Sequence, residues 1–107
     1  MRLNQLTIIG RLGADARLQD IVDKTVCHFD VAVSAYKRGD KPQWFRCNLW
    51  GERGRKLVPY LKKGQAVCVQ GEVSISEFVG RDGLMRATAD VRVSDVVLLG
   101  GGKERDE

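Results

Sequence analysis

Two stretches of strict alternation constrain this chain more than any other feature in it. Between residues 27 and 35, Cys27, Phe29, Val31, Val33 and Ala35 alternate with His28, Asp30, Ala32 and Ser34. Side chains two apart share one face of an extended strand, so period two predicts a strand with one face on a core. The second stretch, Trp44-Phe45-Arg46-Cys47-Asn48-Leu49-Trp50, sets Phe45, Cys47 and Leu49 against Trp44, Arg46, Asn48 and Trp50. Gly39-Asp40 and Pro42 mark residues 36–43 as the loop between them, which makes the two strands a hairpin.

The rest of the chain falls into place around that hairpin. Residues 6–12 read as a strand with a bulge or sharp bend at Gly10, and residues 14–20 continue the sheet after Gly13. Residues 52–63 place Leu57, Val58 and Leu61 on one helical face and stop at Gly64; Pro59 removes a hydrogen bond, so the helix is expected to be short or irregular. Residues 67–73 and 84–93 read as two more strands, with 96–99 extending the last. Arg81-Asp82-Gly83, between Phe78 and Leu84, marks the turn that joins them. Three strands, one short helix and two further strands predict an all-β fold with one helix, a five-stranded Greek-key barrel of the oligonucleotide-binding (OB-fold) type. A β-sandwich would need more strands and no mid-chain helix, and an SH3-like barrel does not usually carry a full helix there. At 107 residues the chain makes one domain, expected over residues 1–99, with a short flexible tail over 100–107. No apolar run approaches the ~20 residues of a membrane helix, and the N-terminus lacks a signal peptide's apolar stretch. A soluble, cytoplasmic protein with no membrane partner is the expectation.

Two indoles and a guanidinium on one side of a strand suit a single-stranded nucleic acid, whose bases stack on aromatic rings while its phosphates seek cations. A strand covered on both faces would use the same tryptophans as packing. The net charge of +4 favours a polyanionic partner, and its distribution says more. Lys37, Arg38 and Lys41 share the hairpin loop; Arg53, Arg55, Lys56, Lys62 and Lys63 follow Trp50; the acidic residues gather in 15–30 and at the C-terminus. Cys27, Cys47 and Cys68 are odd in number and lack a C-x₂-C pair, which reads as free thiols in a reducing compartment. The single histidine, His28, has no obvious Cys or Ser partner, and no Gly-x-Ser-x-Gly, Walker A or paired-carboxylate motif is present. Neither catalysis, a metal nor a cofactor is expected.

Taken in order, these residues resemble the bacterial single-stranded DNA-binding protein family. The family's opening Asn, alternating aliphatics and Gly-x-Leu-Gly correspond to Asn4, Ile8, Ile9, Gly10, Leu12 and Gly13. Its second strand and aromatic-bearing hairpin match residues 29–33 and Tyr36, and its Trp-x-Arg strand with an aromatic-Gly end matches Trp44, Arg46, Trp50 and Gly51. Its Tyr-Leu-x-Lys-Gly, Val-x-Gly and aromatic before Asp-Gly match Tyr60, Leu61, Lys63 and Gly64, then Val69 and Gly71, then Phe78, Asp82 and Gly83. The resemblance covers residues 3–99. It implies non-sequence-specific binding and protection of single-stranded DNA during replication, recombination and repair, a nucleoid-associated location and a homotetramer. It also implies a DNA site of Tyr36, Lys37, Arg38, Lys41, Trp44, Arg46, Trp50, Arg53, Lys63 and Phe78. Three departures qualify that reading. The loop 37–43 is short, Ser76 and Glu77 stand where the family tends to be basic, and Gly100–Glu107 lacks the acidic, hydrophobic-ended tip that recruits replication and repair proteins. This is either a short member of the family or a truncated one. Tyr36 and Phe78 capping the barrel, and Arg46 pairing with Asp90 across the sheet, remain open. So does a primosomal-type OB-fold module that binds a replication protein as well as DNA, and an RNA-binding barrel.

Overall fold

The computed structural model of the chain describes residues 3–100; most of the expected tail lies outside the described residues. Six strands form one sheet: β1 (Leu6–Leu12), β2 (Arg17–Ile21), β3 (Lys24–Val33), β4 (Gln43–Trp50), β5 (Ala66–Val79) and β6 (Met85–Leu98). Their order is β1-β5-β6-β4-β3-β2, and a further pairing of Arg11 and Leu12 with Ala32 and Val31 brings β1 back to β3 and closes the barrel. Every pairing is antiparallel except β4 with β6. This is the expected OB-type barrel with a sixth, short strand. The strand ends at Leu12, and residues 17–21 pair only with β3, as the outer rung of a hairpin. Gly10 permits the closure, since a Cβ there would run into the carbonyl of Ala32.

Cys27, Phe29 and Val31 from β3 and Cys47 and Leu49 from β4 lie in the core as alternation predicted, and Ile8, Leu12, Val67, Val69 and Val91 join them there. Phe45 and Val33, half-buried, pack against it, and β3 ends at Val33 rather than at Ala35. The helix α1 runs only from Glu52 to Leu57 and passes into a 3₁₀ turn at Val58–Tyr60, with Pro59 inside the turn. Proline has no N–H for the next helical bond, and the tighter turn accommodates that loss. Leu61, fully buried, follows it and plugs one end of the barrel beside Leu57 and Val58.

β5 is longer than the sequence suggested, running to Val79 instead of residue 73, while β6 keeps within the expected 84–99. The two pair from Val67↔Leu98 to Val79↔Met85 and project as a two-stranded arm. The turn lies where Arg81-Asp82-Gly83 predicted it: Gly80 N–H donates to the Leu84 carbonyl at 2.8 Å, and Leu84 N–H to Asp82 Oδ1 at 3.0 Å. A bulge lies where Gln70 faces Asp95 and the next residue, Gly71, faces Val93, which leaves Ser94 as the extra residue. The extra residue resets the alternation, so Val91, Val93 and Val96 all point inward although Val93 and Val96 are three apart. At the base of the arm Asn4 acts as one more rung. Its Nδ2 donates to the Val73 carbonyl at 2.8 Å, and Val73 N–H donates to its Oδ1 at 3.1 Å.

Candidate nucleic-acid interface

Because Phe45, Cys47 and Leu49 turn into the core, the remaining side chains of β4 must face outward. Trp44 and Trp50 are 54% and 38% exposed, and Arg46 stands between them. The double-sided-core alternative fails on this point. Strand register then builds the surface row by row. One row crosses the sheet as His28, Asn48, Arg92 and Glu72; the next as Asp30, Arg46, Asp90 and Ser74. The parallel register of Phe45 with Ala89 sets Trp44 beside Thr88, which faces Ser76; the row beyond holds Arg86 opposite Phe78. Phe78, 46% exposed, therefore shares the outward face with Trp44, separated from it by two small hydroxyl side chains. A hollow of about 240 Å³ opens here, lined by Asp30, Trp44, Arg46 and Thr88.

Trp50 marks the other end of the face. Val26, in register with Trp50, is fully buried although it lies outside the core cluster, while Trp50 itself keeps an open surface. Tyr36 is fully exposed in the β3–β4 loop, together with Lys37, Arg38 and Lys41. It does not cap the barrel. Lys63 is exposed just beyond the 3₁₀ turn, its backbone N–H donating to Asp15 Oδ1 at 2.9 Å, which tethers it near the Trp44 end through residues 13–15.

Two of the expected cations are already engaged. Arg46 Nη1 lies 3.9 Å from Asp90 Oδ1, the cross-sheet pairing that register predicts. Arg53 donates to the Ser94 carbonyl at 2.9 Å and to Asp95 Oδ1 at 2.7 Å, tying α1 to the bulge of β6. Two cations were missed by the sequence reading. Arg92 stands in the row between the tryptophans, and Arg17 pairs with His28 and lines a hollow of about 520 Å³ with Gln19, Asp30 and Arg46. Arg92 was findable, since it alternates with the inward Val91 and Val93. Arg17 was not, because β2 carries no alternation and is exposed throughout.

The ring nitrogens of His28 lie 2.7 Å from Asn48 Oδ1 and 2.7 Å from Gln19 Oε1, so the imidazole bridges β2, β3 and β4. Burial pushes the Cys27 thiol up to about 11 and the Cys47 thiol up to about 12, the charge of Asp30 adding to the second. Thiols of that kind stay protonated and unreactive at neutral pH. What the face offers is flat aromatic surface with cations and hydroxyls between.

The model of the single-strand binding protein family matches residues 3–99. Single-stranded DNA-binding protein 1 of Nostoc sp. is 32% identical over 108 residues, covering 99% of this chain and 91% of that protein. The single-stranded DNA-binding protein of Chlamydia muridarum is 44% identical over 68 residues, covering 64% of this chain and 43% of that protein. Among solved structures, a small single-stranded DNA-binding protein from Streptomyces coelicolor superposes with a TM-score of 0.77 at 20% identity, covering 92% of this chain and 96% of that one. At that identity the likeness establishes the shared fold.

Proposed function

The chain belongs to the single-strand binding protein family, and on that premise we propose that it binds single-stranded DNA without sequence preference and protects it during replication, recombination and repair. The observation that carries the reading is the outward face itself: Trp44, Trp50 and Phe78 stand exposed on one continuous surface, while Cys47 and Leu49 are buried in the core and Phe45 packs against it. Each ring stacks one base, and Tyr36 adds a fourth from the loop; every base has a π face, so stacking tolerates any sequence. Lys37, Arg38, Lys41 and Lys63 follow the phosphates, joined by Arg46, Arg17 and Arg92, each contact adding about −0.7 to the log–log salt slope. Arg53 lends its charge to the Trp50 end while holding α1 in place.

The protein works as a homotetramer in the nucleoid of the cytoplasm. Support for assembly comes from β1, whose residues Leu6–Gly10 pair with β5 on one edge only among the described residues. Beside that edge Ile9 and Val97 expose apolar surface, 62% and 50%. Unpaired edges of this kind invite a second strand. Light scattering returning four chains per particle supports the assembly, and a monomeric mass refutes it.

Titrating the intrinsic tryptophan fluorescence with oligothymidine at several salt concentrations tests the binding reading. Strong quenching with salt-sensitive affinity is expected. An unquenched signal up to micromolar DNA would overturn it.

A further inference from the structure

We propose that Gly13 is a positioning residue for the Trp44 indole, and that the absence of a side chain at position 13 sets the tilt at which the ring meets a base. A Cβ placed on Gly13 would lie 2.6 Å from both Cη2 and Cζ3 of Trp44 and 3.9 Å from Cε3, and apart from the adjoining Leu12 and Ala14 no other residue comes as near. The outer rim of the six-membered ring therefore bears on the bare backbone of residue 13. The rest of the indole is open, as its 54% exposure requires.

The backbone beneath the ring cannot retreat. Gly13 N–H donates to the Asp30 carbonyl at 3.1 Å, Leu12 N–H to Gln65 at 3.0 Å, and Gly64 N–H to Leu12 at 2.8 Å. Leu12, fully buried, is paired with Val31 where the barrel closes. Nor does the position need glycine for its own conformation, since Gly13 is absent from the residues with positive φ. Alanine fits the backbone there without strain. The one thing in its way is the far end of the Trp44 side chain, which swings aside more readily than a barrel strand deforms. Substitution at residue 13 thus displaces the ring and leaves the fold. A phenylalanine at position 44 carries no atoms equivalent to Cζ3 and Cη2, so it clears a methyl group at residue 13.

This inference rests on the reading of Trp44 as a stacking residue, and the test separates the two. Gly13→Ala is compared in the wild-type and Trp44→Phe backgrounds, with Trp44→Ala alongside, by oligothymidine affinity and by the tryptophan emission of the free protein. Gly13→Ala is expected to weaken binding about five- to tenfold in the wild-type background and under twofold in the Trp44→Phe background, with its denaturation midpoint near that of wild type. Its emission shifts to the red, and it does so only when Trp44 is present. Unchanged emission and affinity in Gly13→Ala, or an equal loss of affinity in both backgrounds, overturns the positioning role. A Trp44→Ala variant that binds as wild type, with the emission shift of Gly13→Ala intact, overturns the stacking reading and leaves the seat of the ring standing. Should Gly13→Ala unfold, the emission of Gly13→Ala in the Trp44→Phe background decides. If that double variant is native, the clash with Trp44 is the cause; if it is also unfolded, residue 13 is needed by the barrel and the inference falls.

Discussion

Removing one carboxylate from the outward face should strengthen DNA binding. Arg46 is flanked in register by Asp30 and Asp90, and its Nη1 lies 3.9 Å from Asp90 Oδ1. A phosphate that recruits Arg46 must compete with that carboxylate and also approach its charge. Opposite charges 4 Å apart attract by about 1 kcal/mol in water and about 4 kcal/mol at an effective dielectric of 20. The two side chains are 59% and 29% exposed, so the pair belongs near the solvent limit, where measured values reach about 1 kcal/mol at most. Asp90→Asn is nearly isosteric and keeps an oxygen for the Thr88 hydroxyl, which donates to Asp90 Oδ2 at 3.3 Å. The substitution should tighten oligothymidine binding about fivefold at low salt, the equivalent of ~1 kcal/mol. The gain shrinks as salt screens the charges. Polarisation of a labelled oligothymidine across a salt series measures it, in the native protein and in an Arg46→Gln background. With Arg46 gone only the relief of direct repulsion remains, about twofold at low salt. An unchanged or weaker affinity for Asp90→Asn, or the same gain in both backgrounds, would refute the view that Asp90 restrains Arg46.

Trp44→Ala should weaken oligothymidine binding more than tenfold, in keeping with ~1–3 kcal/mol per stacked base, and a loss under twofold removes Trp44 from the site. Arg53→Ala should lower stability by up to about 1 kcal/mol in urea titration, because its ion pair with Asp95 is exposed, and change DNA affinity by less than about twofold. A tenfold affinity loss would show that Arg53 leaves Asp95 for phosphate. A native thiol titration should label Cys68 alone, with Cys27 and Cys47 appearing only after denaturation. Raised thiol pKa values keep the neutral form up to about 11 and about 12, so bringing the pH to the ordinary 9.0 should not expose the two to alkylation in the folded protein. Rapid reaction of all three without denaturant would contradict the packing.

Where one face of a strand is wet and the other dry, the sequence carried the fold, as in residues 27–33 and 44–50. Period two assigned both faces of β4, and with them Trp44 and Trp50. The helix is short, as Pro59 required. Legibility fell off where both faces are wet, because alternation then has nothing to record. β5 is exposed from Ser74 to Val79, which is why it looked shorter than it is, and β2 is exposed throughout, so residues 14–20 read as sheet with neither face nor partner assigned. It failed differently at Ser94. A bulge is a defect of register between two strands, and one strand's sequence shows only its trace, Val93 and Val96 spaced three apart. The Arg46–Asp90 pair lay between these cases, since alternation placed each residue outward and only the parallel register made them neighbours.

The barrel's closure also sets an order of events for a chain made from its N-terminus. β5 and β6 can zip outward from the turn at residues 80–84 as soon as both exist, since hairpins form in about 1–10 μs. β1 precedes the other strands, and its apolar stretch must wait for β5. Ile8 and Ile9 face Val69 and Cys68, and Asn4 must find Val73, so every partner of the first strand's apolar stretch lies roughly sixty residues downstream. At ~5–20 residues per second, that segment waits about 3–12 s at the ribosome before its ladder exists. During that interval Leu6-Thr7-Ile8-Ile9 is an unpaired apolar strand, open to chaperones and to neighbouring nascent chains on the same message.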